Sequence, residues 1–114
     1  NGDMVGHSGL LTAAVQACNV VDEAVRQIAE ATLAADGTLL ITADHGNTDC
    51  MVDEEGNPHT AHTMNLVPCV IVGEGFEGRR LRPGGALCDV APTLLQLMGL
   101  PQPAEMDGRS LLIC

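Results

Sequence analysis

From Leu10 to Ala35 apolar residues recur every three to four positions: Leu11, Val15, Cys18, Val21, Val25, Ile28 and Leu33. Gln16, Asn19, Asp22, Glu23, Arg26, Gln27 and Glu30 fall mostly between them, so the spacing predicts an amphipathic helix. Ser8 is placed to cap its start, and Gly37 to end it. The pattern then changes to a short continuous apolar run, Thr38–Thr42, which reads as a buried strand of a parallel sheet. Residues 43–65 form a long polar loop, and a loop of that length is usually functional. A second apolar run, Val67–Val72, predicts another strand, with Pro68 near its start where a missing N–H does least harm. A glycine-rich turn, Gly73 to Gly85, leads into "DVAPTLLQLMG", read as a helix with Asp89 as cap, Pro92 in the first turn and Gly99 as the stop. The tail is a loop that closes on a short apolar run.

Helix, strand, loop, strand and helix in that order belong to the α/β class. Two strands cannot build a sheet buried on both faces, so further strands are expected from outside these residues. Composition adds to that expectation. The 114 residues are at most one domain, 46% are hydrophobic, and a single Phe stands without Trp or Tyr. Aromatic side chains supply large blocks of buried area, so the core is expected to be thin. The chain also opens on Asn1 in a glycine-rich polar stretch, as though cut from a longer polypeptide.

A formal net charge of −10 argues against nucleic acid or an anionic membrane face as partner. An anionic substrate would need metal ions or basic residues from elsewhere. The five cysteines include no CxxC pair, which fits a reduced, cytoplasmic setting better than a disulfide framework. No apolar run is long enough to span a membrane.

The candidate chemistry lies in two stretches. "NGDMVGHSG" carries Asp3 and His7; Gly2, Gly6 and Gly9 argue against a helix there, so a loop is expected to bring the two together. "ITADHGNTDCMVDEEGNPHTAHT" carries Asp44, His45, His59 and His62. Asp44 and His45 follow directly on a strand, where ligands of α/β sheets collect. Each group also has a plain reading, as a surface pair, a turn cap or solvated loop histidines. Taken together, carboxylates and imidazoles without a thiol pair suit Mn²⁺, Zn²⁺, Co²⁺ or Mg²⁺. Asn47, Asp49 and Thr60 are near enough in sequence to serve as partners for a second ring nitrogen.

"NGDMVGHSG", "TADHGNTD", "PHTAHT" and "DVAPTLLQLMG…PAEMDGRSLL", in that order, resemble the C-terminal part of the cofactor-independent (2,3-bisphosphoglycerate-independent) phosphoglycerate mutases of the alkaline phosphatase superfamily. The resemblance covers essentially the whole chain. It implies the C-terminal portion of a doubly wound, mainly parallel sheet and a glycolytic and gluconeogenic isomerase. That enzyme interconverts 3-phosphoglycerate and 2-phosphoglycerate through a phosphoserine, using two divalent ions, usually Mn²⁺. It further implies Asp3, His7 and His62 as ligands of the first ion and Asp44 and His45 as ligands of the second. His59, Asn47 and Asp49 are supporting candidates. On the same resemblance, residues 1–114 are a C-terminal segment of the metal-binding domain, without its N-terminal strands.

The family's nucleophilic serine and its arginine-rich transferase domain, which binds phosphoglycerate, are not matched by any residue here. Ser8 and Ser110 are the only serines, and neither stands in the nucleophile's context. The chain alone is therefore expected to be inactive, with the rest of a parent polypeptide as its partner. Gly2 and Cys50 depart from the residues common in the family without touching an implied ligand. Two other readings remain: a segment of a phosphopentomutase or phosphodiesterase of the same superfamily, or a non-catalytic metal-binding module.

Overall fold

The computed structural model describes residues 2–113, which fall into two units that divide between Glu74 and Gly75. The first unit begins with a single helical turn, α1 (Gly2–Gly6), followed by the long helix α2 (Leu11–Ala34). Strands β1 (Leu39–Thr42) and β2 (Cys69–Val72) complete it.

The turn at α1 corrects the loop expected there. Its glycines each cost up to about 1 kcal/mol of helix propensity, yet residue 6 is required to be small. A Cβ on Gly6 would stand 2.1 Å from Oδ1 of Asn47. Ser8 does not cap α2 directly; Leu10 holds that position. The Ser8 hydroxyl donates to the Val5 carbonyl and accepts from the Leu10 amide at 3.2 Å, joining the two helices.

Helix α2 ends in a Schellman arrangement. Asp36 N–H bonds the Leu33 carbonyl at 3.0 Å and Gly37 N–H the Thr32 carbonyl at 2.9 Å. The left-handed residue is Asp36, at φ 53°, not the expected Gly37. Gly37 must be small for a different reason, since a Cβ there would come within 2.9 Å of Thr32. The least exposed positions along α2 are small or slender ones, Ala13, Ala14, Ala17, Val25, Ala29 and Thr32. The larger stripe read from the sequence lies mostly open: Leu11, Val15, Val21 and Ile28 are all exposed. The periodicity was right about the helix and silent about which apolar face these residues cover.

Strands β1 and β2 pair antiparallel, Leu39 opposite Val72 and Thr42 opposite Cys69. This corrects the parallel reading of the first strand for its observed neighbour. A parallel pair needs a crossover, usually a helix, whereas a returning loop suffices for an antiparallel one. Residues 43–68 are such a loop. Leu39, Leu40 and Ile41 are half-buried, not fully enclosed as expected. The thin core is borne out: Ala14, Met51 and Leu111 are the buried hydrophobic residues among those described.

In the second unit a 3-10 turn, Leu87–Asp89, runs into α3 (Val90–Leu97). Asp89 is buried and ties this unit together. Its carboxylate accepts from the Ala86 amide at 3.0 Å, the Arg109 amide at 2.9 Å and the Arg82 guanidinium at 2.8 Å. Those amides, with Arg82 behind them, hold its pKa down at about 2. The carboxylate does not bond the free amides of α3, so its part is to anchor the tail. Gly99, at φ 67°, stops α3 as expected, with Leu100 N–H bonding the Leu95 carbonyl at 2.9 Å. No helix among the described residues is long and apolar enough to cross a membrane.

Candidate metal centre

The single turn of α1 puts Asp3 and His7 on one face, with the His7 amide bonded to the Asp3 carbonyl at 3.1 Å. His62 arrives from the far end of the loop between the strands. Oδ1 of Asp3 lies 3.0 Å from Nε2 of His62 and 3.4 Å from Nε2 of His7. The two Nε2 atoms are 3.1 Å apart. Ligand atoms bound about 2.1 Å from a metal ion stand about 3.0 Å apart at octahedral angles and about 3.4 Å at tetrahedral ones. The observed triangle fits one ion.

Hydrogen bonding at the other ring nitrogen says what these atoms offer. Nδ1 of His7 contacts the Thr60 carbonyl at 2.5 Å. A carbonyl only accepts, so Nδ1 carries the proton and Nε2 of the neutral ring presents a lone pair. A carboxylate oxygen and imidazole lone pairs meeting this closely repel unless a proton or a cation stands among them. The loop is brought to α1 through Gly9, at φ 67°, where a Cβ would stand 2.8 Å from Pro58. Asn47 donates to Oδ1 of Asp3 at 2.9 Å and to its carbonyl at 3.2 Å. That hydrogen bond foremost, with the one from His62 behind it, holds the Asp3 carboxyl below its ordinary range.

Asp44 and His45 stand beside this cluster at the end of β1. Nε2 of His45 is 3.6 Å from Oδ1 of Asp44 and 3.9 Å from Oδ1 of Asp3. Its ring stacks on that of His62 with centroids 3.6 Å apart. Nδ1 of His45 contacts the Gly46 carbonyl at 3.2 Å. Among the described residues, Asp3, His7 and His62 are the one set of three placed to converge on an ion.

The other sequence candidates part ways. Asn47 contacts Asp3 directly. Asp49 instead accepts from Thr63 and Asn65, which pull its carboxyl below the usual range, Asn65 foremost. His59 turns away: its amide bonds the Met51 carbonyl and Nδ1 contacts the Cys50 carbonyl at 3.1 Å. Ser8 and Ser110 are engaged in local turns, Ser110 accepting from the Leu112 amide. Sequence reasoning missed Thr63, Asn65 and the need for glycine at 6 and 46. A glycine directly after a candidate ligand, as in His45–Gly46, was the available signal.

Residues 1–102 match the family described as "Metalloenzyme superfamily". The chain belongs to that superfamily. Within it, the chain is 56% identical over 113 residues to a 2,3-bisphosphoglycerate-independent phosphoglycerate mutase of Rhodopirellula baltica, covering 98% of this chain and 21% of that protein. It is 58% identical over 113 residues to the enzyme of the same name from Cereibacter sphaeroides, covering 98% of this chain and 22% of that one. The structure matches a crystal structure of Leishmania mexicana phosphoglycerate mutase at low cobalt concentration, with a TM-score of 0.82 and 34% identity. That match covers 99% of this chain and 23% of the other. The resemblance to the mutases read from the motifs is thus shown. The chain spans about a fifth of the length of the curated relatives it matches.

Proposed function

We infer that these residues are the C-terminal, metal-binding segment of a phosphoglycerate mutase. In the longer polypeptide they would serve the interconversion of 3-phosphoglycerate and 2-phosphoglycerate through a phosphoserine. The single observation that carries the reading is the triangle of Asp3 Oδ1, His7 Nε2 and His62 Nε2, with sides of 3.0–3.4 Å. Asp3, His7 and His62 would hold one divalent ion. Asp44 and His45 would contribute to a second, completed by residues from elsewhere in the polypeptide. The carboxylate and imidazole donors admit Mn²⁺, Mg²⁺, Co²⁺ and Zn²⁺ alike, and the likeness to the mutases is what favours Mn²⁺. Bound there, the ions would neutralise charge on a phosphoryl group and acidify a hydroxyl.

The chain's own residues do the positioning. α1 supplies two donor groups on one face, Thr60 fixes the tautomer of His7, and Asn47 orients the Asp3 carboxylate. The nucleophilic serine, the arginines that hold phosphoglycerate and the remaining strands of a doubly wound sheet belong, on this reading, to the rest of the polypeptide. A cytoplasmic setting is supported by the free thiols of Cys18, Cys50, Cys69 and Cys88.

The test is Mn²⁺ titration into the 114-residue chain by calorimetry, beside His62→Ala. One saturable site that weakens sharply in the variant is the expected result. A folded chain with no such site would sink the ligand assignment. Turnover of 3-phosphoglycerate by the isolated chain would sink the expectation that it is inactive alone.

A further inference from the structure

We propose that Asp49 is a positioning residue for His62, holding the His62 segment against the strand end that carries Asp44 and His45. The inference rests on the metal-site reading above and adds the device that places the third donor group.

Both oxygens of Asp49 accept from the Thr63 hydroxyl, at 3.1 and 2.9 Å, and Oδ2 also accepts from the Asn65 amide at 2.6 Å. Thr63 is the residue after His62, and its own N–H donates to the Gly46 carbonyl at 2.9 Å. Gly46 is the residue after His45. The neighbours of two histidines are therefore bonded to each other, and the rings of those histidines stack.

The fit leaves no room for adjustment. A Cβ on Gly46 would stand 2.1 Å from the Thr63 hydroxyl and 2.8 Å from Oδ1 of Asp49. Without this clamp His62 would hang on a long polar loop, with its ring about half exposed. Hydrogen bonds to a carboxylate are roughly twice as strong as neutral ones. A group held in its binding geometry beforehand spares the ion the cost of ordering it. Asp49 makes its side-chain bonds to Thr63 and Asn65, so it acts through the backbone next to His62 and not on the ion.

The experiment is Mn²⁺ calorimetry on the 114-residue chain with far-ultraviolet circular dichroism in parallel. Thr63→Val replaces the hydroxyl by a methyl of similar shape. It is expected to lower affinity about tenfold at an unchanged spectrum, and Thr63→Ser to restore it. Asp49→Asn is expected to fall by a similar factor. In a His62→Ala background Thr63→Val should add nothing, whereas a general loosening of the fold would lower affinity in both backgrounds. Affinity of Thr63→Val and Asp49→Asn within about twofold of the parent, with His62→Ala still disruptive, overturns the clamp and leaves the metal site standing. Binding by the parent that ignores His62→Ala overturns the metal reading and this inference with it. Should Asp49→Asn lose its folded spectrum, the pair Thr63→Val and Thr63→Ser decides alone.

Discussion

The side-chain amide of Asn47 reaches the carboxylate of Asp3 at 2.9 Å across 44 positions of sequence. It does so through the space that a side chain at residue 6 would fill. The same amide also bonds the Asp3 carbonyl, so one residue fixes both the carboxylate and the turn that bears it.

Gly6→Ala is therefore expected to weaken Mn²⁺ binding by about tenfold, as loss of a partner behind a ligand commonly does. The added Cβ would overlap Asn47, whose amide would have to swing off Asp3. Asn47→Ala should weaken binding to a similar degree, and Gly6→Ala should cost little more once Asn47 is truncated. Calorimetry on the two single variants and the double variant measures this. Additive losses would show that the overlap is not how Gly6 matters.

Gly46→Ala should be the more damaging change at the site. Here the Cβ meets both Thr63 and Asp49, and the backbone bond from Thr63 to Gly46 has to stretch. We expect Mn²⁺ affinity to fall by about a hundredfold, the upper range for a lost supporting contact. Circular dichroism should show the α2 signal retained. Unchanged affinity would mean that the Gly46–Thr63 contact does not help to set His62.

Asp89 gives a pH signature in the second unit. Its folded pKa, about 2, lies below the ordinary 3.8, so its stabilising effect is present above 3.8 and is lost as pH falls through that window. Thermal melting followed from pH 6 to pH 2 should show Tm falling most steeply below about 4. Asp89→Asn should lower Tm by several degrees at neutral pH and flatten that acid limb. A parallel acid limb in the variant would assign the loss to other carboxylates.

Gly108→Ala tests the packing of the tail against the 3-10 turn. A Cβ there would stand 1.9 Å from the Cys88 carbonyl oxygen and 3.0 Å from the Asp89 nitrogen. Both are backbone atoms and cannot rotate away. The change should destabilise the second unit by about 3 kcal/mol, the upper end for overpacking, read by urea denaturation. A loss under about 1 kcal/mol would mean the tail shifts freely.

The elements were legible where a single physical rule governs them. Spacing of apolar residues marked α2 to within a residue at either end, and Gly99 announced the end of α3. The motifs named the family, and they named the residues that meet at the cluster. What the sequence hid was relational. An apolar run at 38–42 announces a strand but not the direction of its neighbour. Glycines at 2, 6 and 9 argued against a helix by propensity, because nothing local reveals that Asn47 needs the space at residue 6. Asp36 took a left-handed conformation that composition would have given to Gly37. The part of Thr63 was hidden for a similar reason: its partners, Asp49 and Gly46, lie across the loop.

The proton of His7 is held by the Thr60 carbonyl, an atom that every amino acid possesses. The choice of tautomer is thus written in the path of the chain and not in the identity of residue 60. Alanine scanning at that position would pass over it in silence, and drift there would leave the imidazole's orientation intact. A displacement of the loop, or an insertion that lengthens it, would erase it. In this part of the molecule, chain length is the inherited instruction.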